Sequence, residues 1–230
     1  MIKTFTYNGK TSNSFGVYIK GEGTYNSPER DVEYVTIPGR DGLLLLDKGR
    51  FSNVAVSYPC FIKRDFETNA AEVRQWLIGD TNYHRLEDDF HPDEFRLAVY
   101  EGAVDFNVFA NIVGDFVLNF SAKPQRWLKS GETAQEVQSG QLLENPTGMT
   151  AKPLILVNGA GELTVGDISV ITTAPNTVID CETMNCYYNG ENLNNVTQID
   201  NFPILGPGST EITIGEGISS VQITPRWWRL

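Results

Sequence analysis

Val54-Ala55-Val56-Ser57-Tyr58-Pro59-Cys60-Phe61-Ile62-Lys63 decides the fold class. Val54, Val56, Tyr58, Cys60 and Ile62 fall on every second position, with Ala55, Ser57, Phe61 and Lys63 between them. A period of two is that of a half-buried β-strand. Working outward, Phe116, Leu118 and Phe120 alternate in the same way with Val117, Asn119 and Ser121. Further strand candidates lie at 2–7, 32–37, 95–100, 154–157, 168–172, 177–181, 210–214 and 221–228. Asn8-Gly9, Asn158-Gly159 and Asn189-Gly190 tolerate positive φ and read as tight turns or hairpins. The chain is therefore expected to be mainly β.

One stretch has the helical period instead. Across 69–79, Ala70, Val73, Trp76 and Leu77 share one face. Asn69 and Glu72 make an N-x-x-E capping pattern, and Gly79 stands where a helix-ending residue belongs. The spacing predicts a helix of about three turns lying across a sheet and burying Trp76.

A boundary follows Phe120. Pro124, Pro146 and Pro153, with Gly131, Gly140 and Gly148, interrupt a weakly periodic, polar stretch. Of the 18 basic residues, 13 lie at or before Lys123, and the remainder of the chain is rich in Asn, Gly and Thr. The expected organisation is a β-rich domain with one short helix at 1–125, a linker or extended connection at 126–150, and a β-sandwich at 151–230. The last strand either completes the sandwich or returns to the first domain.

Composition narrows the function. The 230 residues are 40% hydrophobic and carry a net charge of -11. That acidity disfavours a broad phosphate-binding surface and sequence-specific nucleic-acid recognition. The hydrophobic runs are far shorter than a membrane span, and the first residues lack the apolar block of a signal peptide. Cys60, Cys181 and Cys186 form no C-x-x-C pair and are expected to be reduced thiols, with neither a disulfide scaffold nor a zinc site.

Candidate chemistry is sparse. Glu87-Asp88-Asp89-Phe90-His91-Pro92-Asp93-Glu94 and His84 place carboxylates near the two histidines. The spacing matches no metal loop, and a solvated turn between strands is the expected role. A glycosidase pair drawn from this turn is the enzymatic alternative. No G-x-S-x-G, H-E-x-x-H or P-loop motif occurs, so no catalytic, cofactor or metal residue is assigned. Asn158-Gly159-Ala160-Gly161 reads as a hairpin, because a strand and not a helix follows it. Trp227 and Trp228 point to opposite sides of a strand. One is expected in the core and the other at a subunit contact or ligand surface. Leu43 to Leu46 put two leucines on each face of a strand, so any face the chain leaves uncovered needs a partner.

The ordered set of motifs resembles one family. Ile37-Pro38-Gly39-Arg40-Asp41-Gly42 is similar to a signature near the start of the distal tail (Dit) proteins of siphophages, mostly of Gram-positive hosts. Arg74-Gln75-Trp76-Leu77, Tyr83-His84-Arg85-Leu86 and Phe95-Arg96-Leu97-Ala98-Val99 follow in the family's order. So do Phe116 to Pro124, Asn145-Pro146-Thr147-Gly148, Lys152-Pro153-Leu154-Ile155 and Ile179-Asp180-Cys181. Phe202 to Gly208 and the ending Val221 to Arg229 complete the series. The resemblance implies a ring-forming N-terminal domain and a galectin-like C-terminal sandwich. It implies a homo-hexamer at the virion's tail tip, joining the tail tube protein to the hub or lysin protein and scaffolding adsorption, with receptor-binding protein as a further partner. Synthesis in a bacterial host's cytoplasm, from a phage or a prophage, follows from it. Phage DNA would pass through the ring. No enzyme activity and no cofactor are implied. Pro38, Gly39, Arg40, Asp41, Gly42, Trp76 and Leu77 carry structural roles on this reading, and Arg40 and Asp41 serve the turn or a local ion pair. The alternative is a monomeric two-domain protein that binds cell-wall glycans.

Overall fold

In the computed structural model, residues 2–21, 23, 26–63, 65–109 and 113–230 are described. Contacts divide them into two compact units, one running to residue 126 with residue 230, the other spanning 127–229. Strands predominate and one α-helix occurs among the described residues.

The first unit contains β1 (Phe5–Tyr7), β2 (Lys10–Thr11), β3 (Val17–Ile19), β4 (Arg30–Thr36), β5 (Leu43–Phe51) and β6 (Val54–Ile62). The helix α1 (Phe66–Ile78), β7 (His84–Asp88), β8 (Glu94–Tyr100), β9 (Asn107–Phe109) and β10 (Val113–Ala122) follow. All its strands but β4 and β5 form one antiparallel sheet, ordered β2-β1-β7-β8-β10-β6-β3, with β9 on β10. The sheet curls: Ile19 N–H in the last strand donates to the Lys3 carbonyl, just before β1, at 2.9 Å. The long β6–β10 ladder pairs Ile62 with Gly114 through Val54 with Ala122. The predicted alternation in β6 is observed: Val54, Val56, Tyr58, Cys60 and Ile62 are all buried.

Helix α1 lays Ala70, Val73, Trp76 and Leu77 on this core. Its start differs from the expectation. The helix begins four residues earlier, after Asp65 and not after Asn69, and Asn69 donates its N–H to the Asp65 carbonyl as an interior residue. Phe66 joins the core edge, and that packing extends the helix beyond the N-x-x-E pattern.

The second unit follows β11 (Arg126–Leu128), which spans the division. Its strands are β12 (Gln135–Val137), β13 (Gln141–Asn145), β14 (Leu154–Gly159), β15 (Gly161–Val165), β16 (Ile168–Thr172) and β17 (Asn176–Asp180). Then come β18 (Asn185–Tyr188), β19 (Glu191–Asn192), β20 (Thr197–Ile199), β21 (Gly208–Ile214), β22 (Ile218–Thr224) and β23 (Trp228–Arg229). All but β23 form a sandwich of two antiparallel sheets, β12-β22-β14-β17-β18-β19 and β13-β21-β15-β16-β20; of the last segment, β22 lies in the sandwich while β23 pairs with β11. Ile155, Ile179 and Ile223 from one sheet and Leu163, Val170 and Ile212 from the other fill the core, each fully buried.

Two local readings change here. Residues 126–150 are not a linker: β12 pairs with β22 and β13 with β21, one strand in each sheet. Their burial is confined to Val137, Leu143 and Asn145, too few to produce a visible period. Asn158 to Gly161 is not a hairpin either, since β14 and β15 lie in different sheets. A Cβ on Gly159 would sit 2.2 Å from the Gly217 carbonyl oxygen, so the glycine permits close backbone approach where the chain changes sheet. Asn8-Gly9 and Asn189-Gly190 do form two-residue hairpin turns, with φ of 49° and 72°, and 49° and 84°. None of the described helices is long and apolar enough to cross a membrane.

Candidate functional site

Strands β4 and β5 pair only with each other and form a two-stranded ribbon. Thr36 faces Leu43, Val35 faces Leu44, Tyr34 faces Leu45 and Glu33 faces Leu46. Period-two alternation puts Tyr34, Leu43 and Leu45 on one face and Leu44 and Leu46 on the other. Tyr34 is 63% exposed, Leu43 57%, Leu45 52% and Leu46 44%. Neither face is sealed within the chain, whereas an isolated hairpin is marginal in water. Nearer its base the ribbon is polar: Arg30 pairs with Asp47 at 2.7 Å and Arg50 with Asp31 at 2.7 Å.

The Ile37 to Gly42 motif is the loop at the ribbon's tip. Arg40 N–H donates to the Ile37 carbonyl at 3.2 Å, closing a turn with Pro38 and Gly39 at its centre. Pro38 fixes its own φ, and Gly39 supplies the positive φ of 79° that the next position of this turn type requires. Gly42 adopts φ 77° where the chain re-enters β5. The Arg40 and Asp41 side chains are exposed and make no ion pair among the described residues. Their place is therefore the turn and its solvent face.

Trp76 and Leu77 are core residues. Leu77 is fully buried, and the Trp76 indole N–H donates to the Tyr7 carbonyl at 3.1 Å. Phe15 stacks on one side of the indole at 4.6 Å and Phe5 lies parallel at 5.6 Å. Trp227 is 3% exposed in the core of the second unit. Trp228 is half-buried, packs on Trp127 at 6.5 Å, and donates its indole N–H to the Thr150 carbonyl at 2.9 Å. Trp227 is thus the core member of the pair and Trp228 the more exposed one.

The acidic run is divided between strand ends and a turn. Asp88 closes the turn, accepting the N–H groups of Phe90 and His91 at 2.9 Å each. It also contacts His91 Nδ1 at 3.0 Å and accepts the Tyr58 hydroxyl at 2.7 Å. Burial first, then the facing Asp88 carboxylate, pushes the Tyr58 phenol well up. Asp89 accepts both the N–H and the hydroxyl of Thr4, at 2.6 and 2.8 Å. Glu94 is buried, at 5% exposure, and is thus no part of a solvated turn.

Sequence reasoning missed what Glu94 belongs to. Arg96 and Arg126 are 8% and 9% exposed. Arg126 lies 3.7 Å from Glu94, and both guanidinium groups donate to the Asn26 carbonyl, at 3.4 and 3.3 Å. The Asn26 side chain in turn donates to the Ala55 carbonyl. Burial, with Arg126 nearby, lowers Arg96 to about 10, which leaves it charged at neutral pH. The pattern of β8 conceals the cluster: Glu94, Arg96, Ala98 and Tyr100 are the inward positions while Phe95, Leu97 and Val99 are only half-buried. The charged residues share the register of Tyr100, so the more apolar set is not the buried set.

No family model and no curated protein matches the sequence. Among solved structures, the crystal structure of the SPP1 Dit protein, described as a paradigm of the hub adsorption apparatus in phages infecting Gram-positive hosts, superposes with a TM-score of 0.75. The match is 14% identical and covers 100% of both chains. The phage p2 baseplate in its activated conformation with Sr gives a TM-score of 0.53 at 10% identity, covering 100% of this chain and 99% of that one. The chain thus has a Dit-like fold along its whole length.

Proposed function

We propose that this protein is a structural component of a phage tail tip. Six copies close into a ring through the first unit, and the ring joins the tail tube to the hub and carries the host-adsorption apparatus. The observation that carries this reading is the Dit-like fold over the full length of the chain, both units included. The exposed ribbon supports it independently, because leucines bare on both faces call for neighbouring protein. A head-to-tail contact that closes by rotation supplies that neighbour to every copy alike. The role is architectural: Trp76, Leu77 and Trp227 serve cores, and the Pro38 to Gly42 turn serves the ribbon.

The test is solution mass by light scattering with negative-stain imaging, on the protein alone and mixed with its tail-tube neighbour. A closed ring of about 150 kDa is expected from six subunits of 25.6 kDa. A monomer in both samples overturns the reading.

A further inference from the structure

We propose that Arg96 and Arg126 are positioning residues for the β4–β5 ribbon: by jointly holding the Asn26 carbonyl, they fix the angle at which the ribbon leaves the body of the first unit. The effect on assembly rests on the ring reading above; the effect on the ribbon's angle does not.

The ribbon has no sheet neighbour, so its direction is set at its root. Two chain segments form that root. On the outgoing side, Asn26 stands four residues before β4 and is bound at three points, by Arg96, Arg126 and the Ala55 carbonyl. On the returning side, Asn53 follows β5 and donates to the Tyr83 hydroxyl at 2.6 Å and the Ser121 hydroxyl at 3.0 Å. The Ser52 N–H to Glu29 carbonyl bond at 2.9 Å closes the neck between them.

The arginines give the outgoing side its rigidity. Two guanidinium groups under a tenth exposed require acceptors, because an uncompensated buried charge is strongly destabilising. Glu94 faces Arg126, and both arginines use the one backbone carbonyl of Asn26. Displacing Asn26 would remove an acceptor from two buried cations at once. The loop is therefore held by the electrostatic demand of the interior as well as by its own packing. Because the acceptor is a backbone atom, these contacts are also insensitive to which side chain the loop carries.

The test places spin labels at the tip and on the body, through Arg40→Cys and Lys10→Cys, and measures their distance distribution. The native thiols of Cys60, Cys181 and Cys186 are buried, so labelling goes to the introduced cysteines. A Leu45→Glu background keeps subunits apart, so neighbours do not restrain the tip. A single narrow distribution is expected with the native arginines, and a width about twofold greater in Arg96→Gln. Should Arg96→Gln fail to fold, as judged by circular dichroism, Arg96→Lys keeps the buried cation while shortening the reach to Asn26, and broadening is expected there too. Equal widths in the native and folded variant proteins overturn the proposal. Without Leu45→Glu, Arg96→Lys is expected to raise the concentration needed for ring formation about tenfold. A broadened ribbon with unchanged ring formation overturns the assembly role. A native protein that forms no ring counts against the ring reading, while the width comparison still decides the positioning role.

Discussion

At the scale of single residues, Gly39 and Gly42 are required by backbone geometry and not by space. Nothing lies within 4 Å of a Cβ built on either one, yet their φ values are 79° and 77°. Valine at either position pays the left-handed penalty of about 1–2 kcal/mol without any clash. Gly39→Val and Gly42→Val are expected to distort the ribbon tip and impair ring assembly while both units stay folded; normal assembly of both variants would contradict this. Asp180 poses an electrostatic question. Burial raises its pKa, but the Arg226 guanidinium, bonded at 2.6 Å, outweighs that and holds the carboxyl below its ordinary value. A pKa depressed in the folded state stabilises above the unfolded value, roughly 4, and that stability is lost as pH falls through the folded pKa. Asp180→Asn should therefore lose about 1–3 kcal/mol at neutral pH. Its urea midpoints should approach those of the native protein in strong acid; a constant gap down to low pH would show that the charge is not responsible. The thiols give a third check. Burial pushes Cys181 up to about 12 and raises Cys60 and Cys186 as well. A thiol reagent should react with all three only after denaturation, and fast reaction of the folded protein would refute their burial.

At the scale of elements, helix and ribbon make opposite predictions. Trp76 on α1 is nearly buried and surrounded by Phe5, Phe15 and Tyr7 rings, so Trp76→Ala should cost about 3–5 kcal/mol in folding stability. Leu45 on β5 is 52% exposed, so Leu45→Glu should shift the melting temperature little yet abolish the ring. A clear loss of stability in Leu45→Glu would mean that the leucine packs within its own chain. The same two elements show what the sequence made legible. The helix declares itself by period, through Ala70, Val73, Trp76 and Leu77, whereas Leu43 to Leu46 have no alternation and signal only a strand whose two faces both need cover. Asp65 at the helix start carried no such signal, because it makes no side-chain cap bond and packing of Phe66 extends the helix. Strands β12 and β13 went unread because each is short and borders its sheet. The Arg96 and Arg126 cluster was hidden by composition: charge on alternate positions of β8 reads as a solvent face until Asn26 and Glu94 are brought beside it.

At the scale of the whole molecule, charge and apolar surface act in opposite directions. Each chain carries a net charge of -11, so copies brought together, as in the proposed ring, repel one another. The ribbon, which supplies the contact on the proposed reading, is apolar where it is barest, at Tyr34, Leu43, Leu45 and Leu46, and its charged residues near the base already pair within the ribbon. Added salt therefore has little intersubunit attraction to screen there and much repulsion. Screening lengths fall from about 30 Å at 0.01 M to about 3 Å at 1 M, short enough to silence charges on adjacent subunits. Ring formation should consequently strengthen as salt rises, with the midpoint concentration for assembly falling. A contact built on ion pairs between subunits would show the reverse. Light scattering across a dilution series at low and high salt separates the two, and dissociation on adding salt would move the ring contact away from the ribbon's leucines to a charged surface. Mixed results are resolved by Leu45→Glu: a carboxylate placed in an apolar contact between acidic subunits adds both desolvation and repulsion, and salt can relieve only the second. Rings that reappear in this variant at high salt would show that repulsion was the greater obstacle, and continued dissociation would show that the apolar contact itself is indispensable.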